Sequence, residues 1–241
     1  MEATRNGHMS LLDTAALVLA RPHRAGVPFI VAPAVAGLAL GWVWQGFVWL
    51  GAAAAAFSAF FFRDPDRAVP QRPGLILAPA DGRVVSIAPA APPAELGLGA
   101  APRTRVATFL SVLDVHVNRA PAAGHIRRIA YRPGAFLNAA LDKASEENER
   151  NAIALELEDG RTLAVVQIAG LIARRIVCEV RDGQALRAGE RIGLIRFGSR
   201  VDLYLPEGVA PLVSVGQRMV AGETVVADLL SGEPARAAEM I

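Results

Sequence analysis

Residues 182–198 read "DGQALRAGERIGLIRFG" and residues 215–232 read "VGQRMVAGETVVADLLSG". The two stretches superpose without a gap: Gly183-Gln184 falls on Gly216-Gln217, and Ala188-Gly189-Glu190 on Ala221-Gly222-Glu223. Each unit is a turn, a short strand, a second turn at Ala-Gly-Glu, and then a strand. A pair of such units predicts two interlocked hairpins closing a small sandwich or barrel.

Working outward from the repeat, short runs of Val, Ile and Leu alternate with Gly, Pro and Asp, the texture of strands and turns. Strands are expected at 75–78, 83–87, 106–113, 126–131, 152–157, 162–168, 174–180, 191–196, 201–205, 212–215 and 224–229. The stretch "PAAPPAELGLGAAPR" reads as an exposed loop, and "PGAFLNAALDKASEENER" as a short helix running into a polar loop. The expected fold class is therefore mainly β (α+β), a strand-rich domain with a lipoyl/biotinyl-like barrel-sandwich repeat. Carriers of that fold hang a prosthetic group on a lysine at a hairpin tip. Lys143 is the sole lysine and lies outside both units, which argues against a carrier function.

The N-terminal quarter is different. From Ala25 to Phe62 there is no charged residue, and Gln45-Gly46 interrupts the apolar run near its middle. Two helices of about 18 residues would reach about 27 Å apiece, against a hydrocarbon core of about 30 Å. Trp42, Trp44 and Trp49 cluster at the break, as an interfacial aromatic belt would. Arg21, His23 and Arg24 precede the run, and Arg63 and Arg67 follow it. Positive charge on both flanks puts both ends on the cytoplasmic side, which a hairpin satisfies and a single span does not. The run is too long and starts too late for a signal peptide. The expected organisation is a tail at 1–24, a membrane-anchoring hairpin at 25–63 and a catalytic domain at 64–241, placed at the cytoplasmic face of the cell membrane.

Composition supports a partly lipid-facing chain: 53% of its 241 residues are hydrophobic and only 6% aromatic. The formal charge of +2 carries no nucleic-acid footprint. The single cysteine, Cys178, excludes an internal disulfide and a thiolate metal cluster, and in "RRIVCEV" it reads as a buried small hydrophobe. No metal site is expected.

The chemistry centres on "RFGSRVDLYLP", which ends the first repeat unit. Glycine has no side chain to block approach and tolerates dihedrals that aim its carbonyl at the next hydroxyl. Attack of Ser199 Oγ on Gly198 would give an ester. Elimination from that ester would leave dehydroalanine, which hydrolyses to a pyruvoyl group. Read without context, the same Gly-Ser step is a bulge followed by an exposed turn.

"RFGSRVDLYLP", "APADGRVVSI", "LSVLDVHVNRAPAAGHI", "GAFLNAALDKASEENERN" and "IAGLIARRIVC" stand in the order found in phosphatidylserine decarboxylases. From about Arg21 to near the C-terminus the chain resembles the short form of bacteria and archaea. The resemblance implies self-cleavage at Gly198-Ser199 into 1–198 and 199–241, which stay together as a heterodimer that can build a higher homo-oligomer. It implies a covalent pyruvoyl group made from Ser199, phosphatidylserine in the bilayer as substrate, and contact with an anionic membrane surface. In the family an aspartate and a histidine work with the cleavage serine in a triad-like relay. Here they are Asp81 of "APADG" and His116 of Asp114-Val115-His116. Long-form members carry a second histidine three residues later, and this chain has Arg119 there. Arg119, Arg174 and Arg175 are expected as substrate-binding cations for phosphate or carboxylate. Lys143 and Asn148–Arg150 also match family motifs, without an assigned role. A membrane-tethered lipoyl-like adaptor and a pyruvoyl decarboxylase of a soluble amino acid are the alternative functions.

Overall fold

The computed structural model describes residues 20–134, 148–170, 175–196, 199–236 and 238–239. The chain divides into two compact units, Met1–Asp66 and Arg67–Ile241.

The first unit holds two helices, α1 (Val27–Leu40) and α2 (Gly46–Phe61), joined by a short turn. Pro28 occupies the first turn of α1, where its missing N–H would have had no helical partner. The helices run antiparallel with their backbones almost touching. A Cβ on Gly51 would stand 2.5 Å from the Pro33 carbonyl oxygen and 2.8 Å from the Gly37 Cα. No larger residue fits at that crossing, the same small-residue packing that lets helices associate without polar contacts. At the open end the flanks zip together, with His23 N–H donating to the Phe62 carbonyl (2.7 Å) and Asp64 N–H to the Arg21 carbonyl (3.0 Å). Arg63 lies over the Phe60 ring, 3.9 Å from its centroid. The helices have 14 and 16 residues, fewer than the 18 expected, because the turn at 41–45 takes up chain. Among the described residues no helix is long and apolar enough to cross a membrane. The pair nevertheless exposes Val31, Val35, Leu38, Val43, Leu50 and all three tryptophans, Trp42 to 94%.

The second unit is strand-rich. Its strands are β1 (Leu75–Leu77), β2 (Gly82–Ala90), β3 (Arg103–Leu110), β4 (Val117–Arg119), β5 (Gly124–Arg132), β6 (Arg150–Glu156), β7 (Thr162–Ala169), β8 (Ile176–Cys178), β9 (Ala185–Leu186), β10 (Arg191–Ile195), β11 (Ser199–Tyr204), β12 (Arg218–Met219) and β13 (Val225–Asp228). Eight form one antiparallel sheet in the order β12-β2-β3-β11-β7-β6-β5-β9, with β4-β10-β8 and β1-β13 as two small sheets. Alternation along β11 puts Ser199, Val201 and Leu203 on one face and Arg200, Asp202 and Tyr204 on the other. The first face carries the main core, where Leu110, Val165 and Val201 meet Ile76, Ile176, Ile192, Ile195 and Val226 from the small sheets. A second, smaller cluster around Ala152, Val166 and Tyr204 lies on the reverse face.

The repeat read in the sequence pairs with a second one that it conceals. "APADG" (78–82) and "APAAG" (120–124) are related by 42 residues. Each wraps one repeat unit in equivalent bonds: Gly222 N–H to the Ala78 carbonyl (2.9 Å) and Gly189 N–H to the Ala120 carbonyl (2.8 Å). The registers match too, Arg218 opposite Arg83 and Ala185 opposite His125. The halves exchange bonds reciprocally, Leu77 N–H to the Pro121 carbonyl and Arg119 N–H to the Pro79 carbonyl. The second unit is thus built on an approximate two-fold, and only one half carries an acid, Asp81, where the other has Ala123.

Three expectations are corrected. Residues 212–215 are not a strand but a connection, buried at Leu212 and Val213 and exposed at Val215, held by Leu212 N–H to the Val226 carbonyl (2.7 Å). Strand β4 was not foreseen, since a run of three residues containing Asn and Arg carries no period-2 signal, whereas β9 and β12 are the short strands expected inside the two repeat units. Cys178 is exposed rather than buried, because it is the last residue of the edge strand β8.

Candidate active site

Ser199 opens β11, between Leu110 of β3 and Ala169 of β7. It is completely buried, and its Oγ has no hydrogen-bond partner. A buried hydroxyl left unpaired costs about 1–3 kcal/mol, so such an atom in a fixed strand calls for an explanation. On the reverse face Arg200 clamps Asp202 with two bonds of 2.6 and 3.0 Å, both side chains 1% exposed, and Arg105 stands 3.9 Å from the same carboxylate. This buried pair pins the strand that presents Ser199. Gly198, the other half of the expected cleavage site, lies outside the described residues, as do Arg174 and Lys143.

His116 is 1% exposed and sits in the bend just before β4, where its carbonyl accepts from Ile195 N–H (3.3 Å). Ile195 is four residues ahead of Ser199, so the backbone ties the histidine to the approach of the cleavage strand. Its Nδ1 lies 2.9 Å from the Asp114 carbonyl oxygen. A carbonyl can only accept, so Nδ1 carries a proton, and in the neutral ring Nε2 then holds the lone pair that a base requires. Asp114 itself is committed to building the bend. Its Oδ2 accepts from Ser111 N–H (2.8 Å) and Oγ (2.7 Å), and its Oδ1 from Arg218 (2.6 Å).

Asp81 occupies the turn between β1 and β2. Gly82 follows it at φ 143°, where a Cβ would stand 2.2 Å from the Phe109 carbonyl oxygen, so only glycine closes this turn. Arg67 Nη2 straddles the Asp81 carboxylate at 2.9 and 2.8 Å, and Ala221 N–H donates to Oδ1 (2.8 Å). Burial pushes the Asp81 carboxyl above the usual carboxylate range against the pull of Arg67 and the Ala221 N–H, and the neighbouring Asp114 charge adds to the rise. The hydrogen bonds of Asp81 go to Arg67 and Ala221 and not to His116, so a direct Asp81-to-His116 link is not drawn in this structure. Arg67, expected as a flank of the hairpin, belongs instead to the second unit as the partner of Asp81.

The arginines divide. Arg119 is buried and donates to the Gly189 carbonyl (3.0 Å), which serves the turn between β9 and β10. Arg175 is exposed, its carbonyl accepting from Arg196 N–H (3.2 Å). Burial and the Arg175 charge pull the Arg196 guanidinium below its ordinary value, and two such cations side by side favour an anion between them. Glu149 accepts from Tyr131 Oη (3.1 Å) and Ile176 N–H (3.2 Å), while Asn148 donates to the Ala169 carbonyl (2.7 Å), opposite Ser199. The residues matching family motifs at 148–150 therefore brace the strands around the serine. Arg67, Arg218 and Arg196 escaped sequence reading, and the order-42 repeat was the signal that would have singled out Asp81 as the acid without a counterpart. Among the described residues no three of His, Cys, Asp and Glu converge as a metal set.

The phosphatidylserine decarboxylase family profile matches residues 54–227. The chain belongs to the phosphatidylserine decarboxylase family. It is 62% identical over 229 residues to the phosphatidylserine decarboxylase proenzyme of Granulibacter bethesdensis, covering 93% of this chain and 92% of that one. It is 61% identical over 225 residues to the proenzyme of Gluconacetobacter diazotrophicus, covering 92% of this chain and all of that one. The proenzyme of Gluconobacter oxydans is 59% identical over 226 residues, with the same coverage. The family match starts within α2 and ends in β13, so it takes in every element that builds the surroundings of Ser199.

Proposed function

We propose that this chain is a proenzyme that cleaves itself between Gly198 and Ser199 and then decarboxylates phosphatidylserine to phosphatidylethanolamine. The observation that carries the reading is Ser199 itself, a buried serine with an unpaired Oγ at the mouth of a pinned strand, in a chain of this family. In maturation the Ser199 Oγ–H proton passes to His116 Nε2 as Oγ bonds to the Gly198 carbonyl carbon. The C–N bond breaks and the amine takes a proton, leaving an ester. Loss of the Ser199 α-proton then breaks the Cβ–Oγ bond, releasing Gly198 as a carboxylate and dehydroalanine at 199. Water hydrolyses this to the pyruvoyl group and ammonia.

The residues present fit such a group, since Ser199 supplies its atoms and the buried orphan hydroxyl is the reactive handle. Once formed, the pyruvoyl group supplies an electrophilic carbonyl that accepts the electrons released as carbon dioxide leaves. His116 holds a proton near that centre and returns it to the carbon that lost the carboxylate. Asp81, fastened to Arg67 and Ala221, fixes the β1–β2 turn against β12, and with Asp114 and Arg218 it positions the bend of His116. Arg175 and Arg196 carry positive charge toward the phosphate or carboxylate of the lipid. Arg119 and Arg174 complete the cations expected for this role, though the Gly189 bond of Arg119 favours a structural task.

Cleavage would leave residues 199–241 in place as a heterodimer with 1–198. Their three strands pair with β3 and β7, with β2 and with β1 of the larger fragment. The interlocked halves also support a lipoyl-like barrel-sandwich reading of the core. The exposed apolar face of α1 and α2, with Arg21, Arg24 and Arg63 at the zipped end, supports docking on the anionic cytoplasmic face of the cell membrane. The test is intact mass. The purified protein should comprise fragments 1–198 and 199–241, the smaller lacking a free N-terminal amine. Ser199→Ala should stay whole and inactive, and efficient decarboxylation by an uncut chain refutes the reading.

A further inference from the structure

Asn118 on β4 is fully buried, two residues after His116. Its Oδ1 accepts from Gln167 Nε2 (2.8 Å), and Gln167 Oε1 accepts from Asn151 Nδ2 (2.9 Å). All three amides are at most 1% exposed. The donors run one way, from Asn151 to Gln167 to Asn118. Asn118 is left presenting Nδ2, which has no hydrogen-bond partner. An unpaired buried donor at the end of an otherwise complete network is costly and rigidly aimed.

Its surroundings indicate what it is for. Gln167 faces Val201 across the β7–β11 ladder, and Ala169, two residues on, faces Ser199. Gln167 and Ser199 are therefore diagonal neighbours on one face of the sheet, the face covered by the small sheet that contains β4. One layer thus holds a buried donor without an acceptor, Asn118 Nδ2, and a buried oxygen without a partner, Ser199 Oγ. The two do not bond to each other in the uncut chain.

We infer that Asn118 Nδ2 is the hydrogen-bond donor for the Ser199 oxygen when that oxygen departs in the elimination step of maturation, an inference that rests on the self-cleavage proposed above. As the Cβ–Oγ bond breaks, its electron pair moves onto Oγ, which leaves as part of the new Gly198 carboxylate. The Ser199 α-proton goes to a base. Asn118 neither gains nor loses a proton and stabilises the charge that develops on Oγ. A neutral amide suits the task, because before the acyl shift Oγ carries no charge and a cation there would hold the hydroxyl back from attack. The donor is worth most at the step in which charge appears.

The experiment uses the full-length chain with Asn118→Leu, which removes the donor at similar volume, and Asn118→Ser, which keeps a shorter donor without bulk. Processing is followed by intact mass with and without hydroxylamine at neutral pH, under which esters are cut and peptide bonds are not. Loss of one preorganised donor should slow completion about 10²–10³-fold. The stalled Asn118→Leu chain should contain the ester, so that hydroxylamine splits it into 1–198 and a 199–241 fragment with a free amine. Asn118→Ser should stall at the same ester, less severely, and it carries the test if the leucine form does not fold. Processing of the folded variants at the wild-type rate overturns the inference. So does a stall that hydroxylamine does not cut, which would place Asn118 before the ester. A wild-type chain that never processes would instead refute the self-cleavage itself.

Discussion

Replacing Asp202 by alanine strips the counter-ion from Arg200 on the back of the strand that presents Ser199. Both side chains are 1% exposed, so the guanidinium that remains has almost no access to water. Removing one partner of a buried ion pair costs about 3–5 kcal/mol, and Arg105, 3.9 Å from the same carboxylate, loses the same opposite charge. For a unit the size of Arg67–Ile241, with about 2–4 °C lost per kcal/mol, the melting temperature should fall by about 6–20 °C. The measurement is thermal unfolding by circular dichroism in a Ser199→Ala background, so that cleavage does not confound it. The double variant Arg200→Met with Asp202→Leu replaces the pair by apolar side chains and should recover most of the loss. With Ser199 restored, Asp202→Ala should also process more slowly, because the register of β11 against β3 and β7 sets where the serine sits. A loss below about 1 kcal/mol in the single variant, against that expected range, or a double variant no more stable than the single, would refute the reasoning.

Asp81 titrates above the ordinary carboxylate range because it is buried, so its contribution to stability is present below its unfolded-state value and is lost as pH rises through the folded one. Asp81→Asn should therefore gain on the wild type in urea midpoints as pH is raised from the ordinary carboxylate range upward, and a wild type that gains instead would reverse the assignment. His116→Ala should slow fragment formation and carbon dioxide release by about 10²–10⁴-fold each if its Nε2 serves both as base and as acid; normal processing with lost turnover would confine it to the second step. Deleting residues 1–62 should give a chain that still processes but sediments poorly with anionic vesicles, and equal sedimentation would remove the helix pair from membrane docking.

Much of this protein is local chemistry and therefore legible in one dimension. The strands at 162–168 and 191–196, the repeat at 182–198 and 215–232, and the break between an apolar quarter and a strand-rich remainder all follow from short-range periodicity and turn residues. The Gly198-Ser199 step, Asp81 before Gly82 and the Asp114-Val115-His116 run were equally visible as motifs. What the motifs do was decided elsewhere. Asp114, two residues before His116, is spent on Ser111 and on Arg218, 104 residues away. Asp81 meets Arg67 and, 140 residues on, the Ala221 N–H. Asn118 gains its place only when β4, β6 and β7 align three amides into a single donor chain. Cys178 passed for a core residue because its neighbours are apolar, but it lies on an edge strand. Periodicity records which residues turn away from water, since that preference belongs to each side chain alone. Which polar atoms find partners, and which are left without one, depends on the register between strands far apart in the chain, and only the assembled sheets set that register.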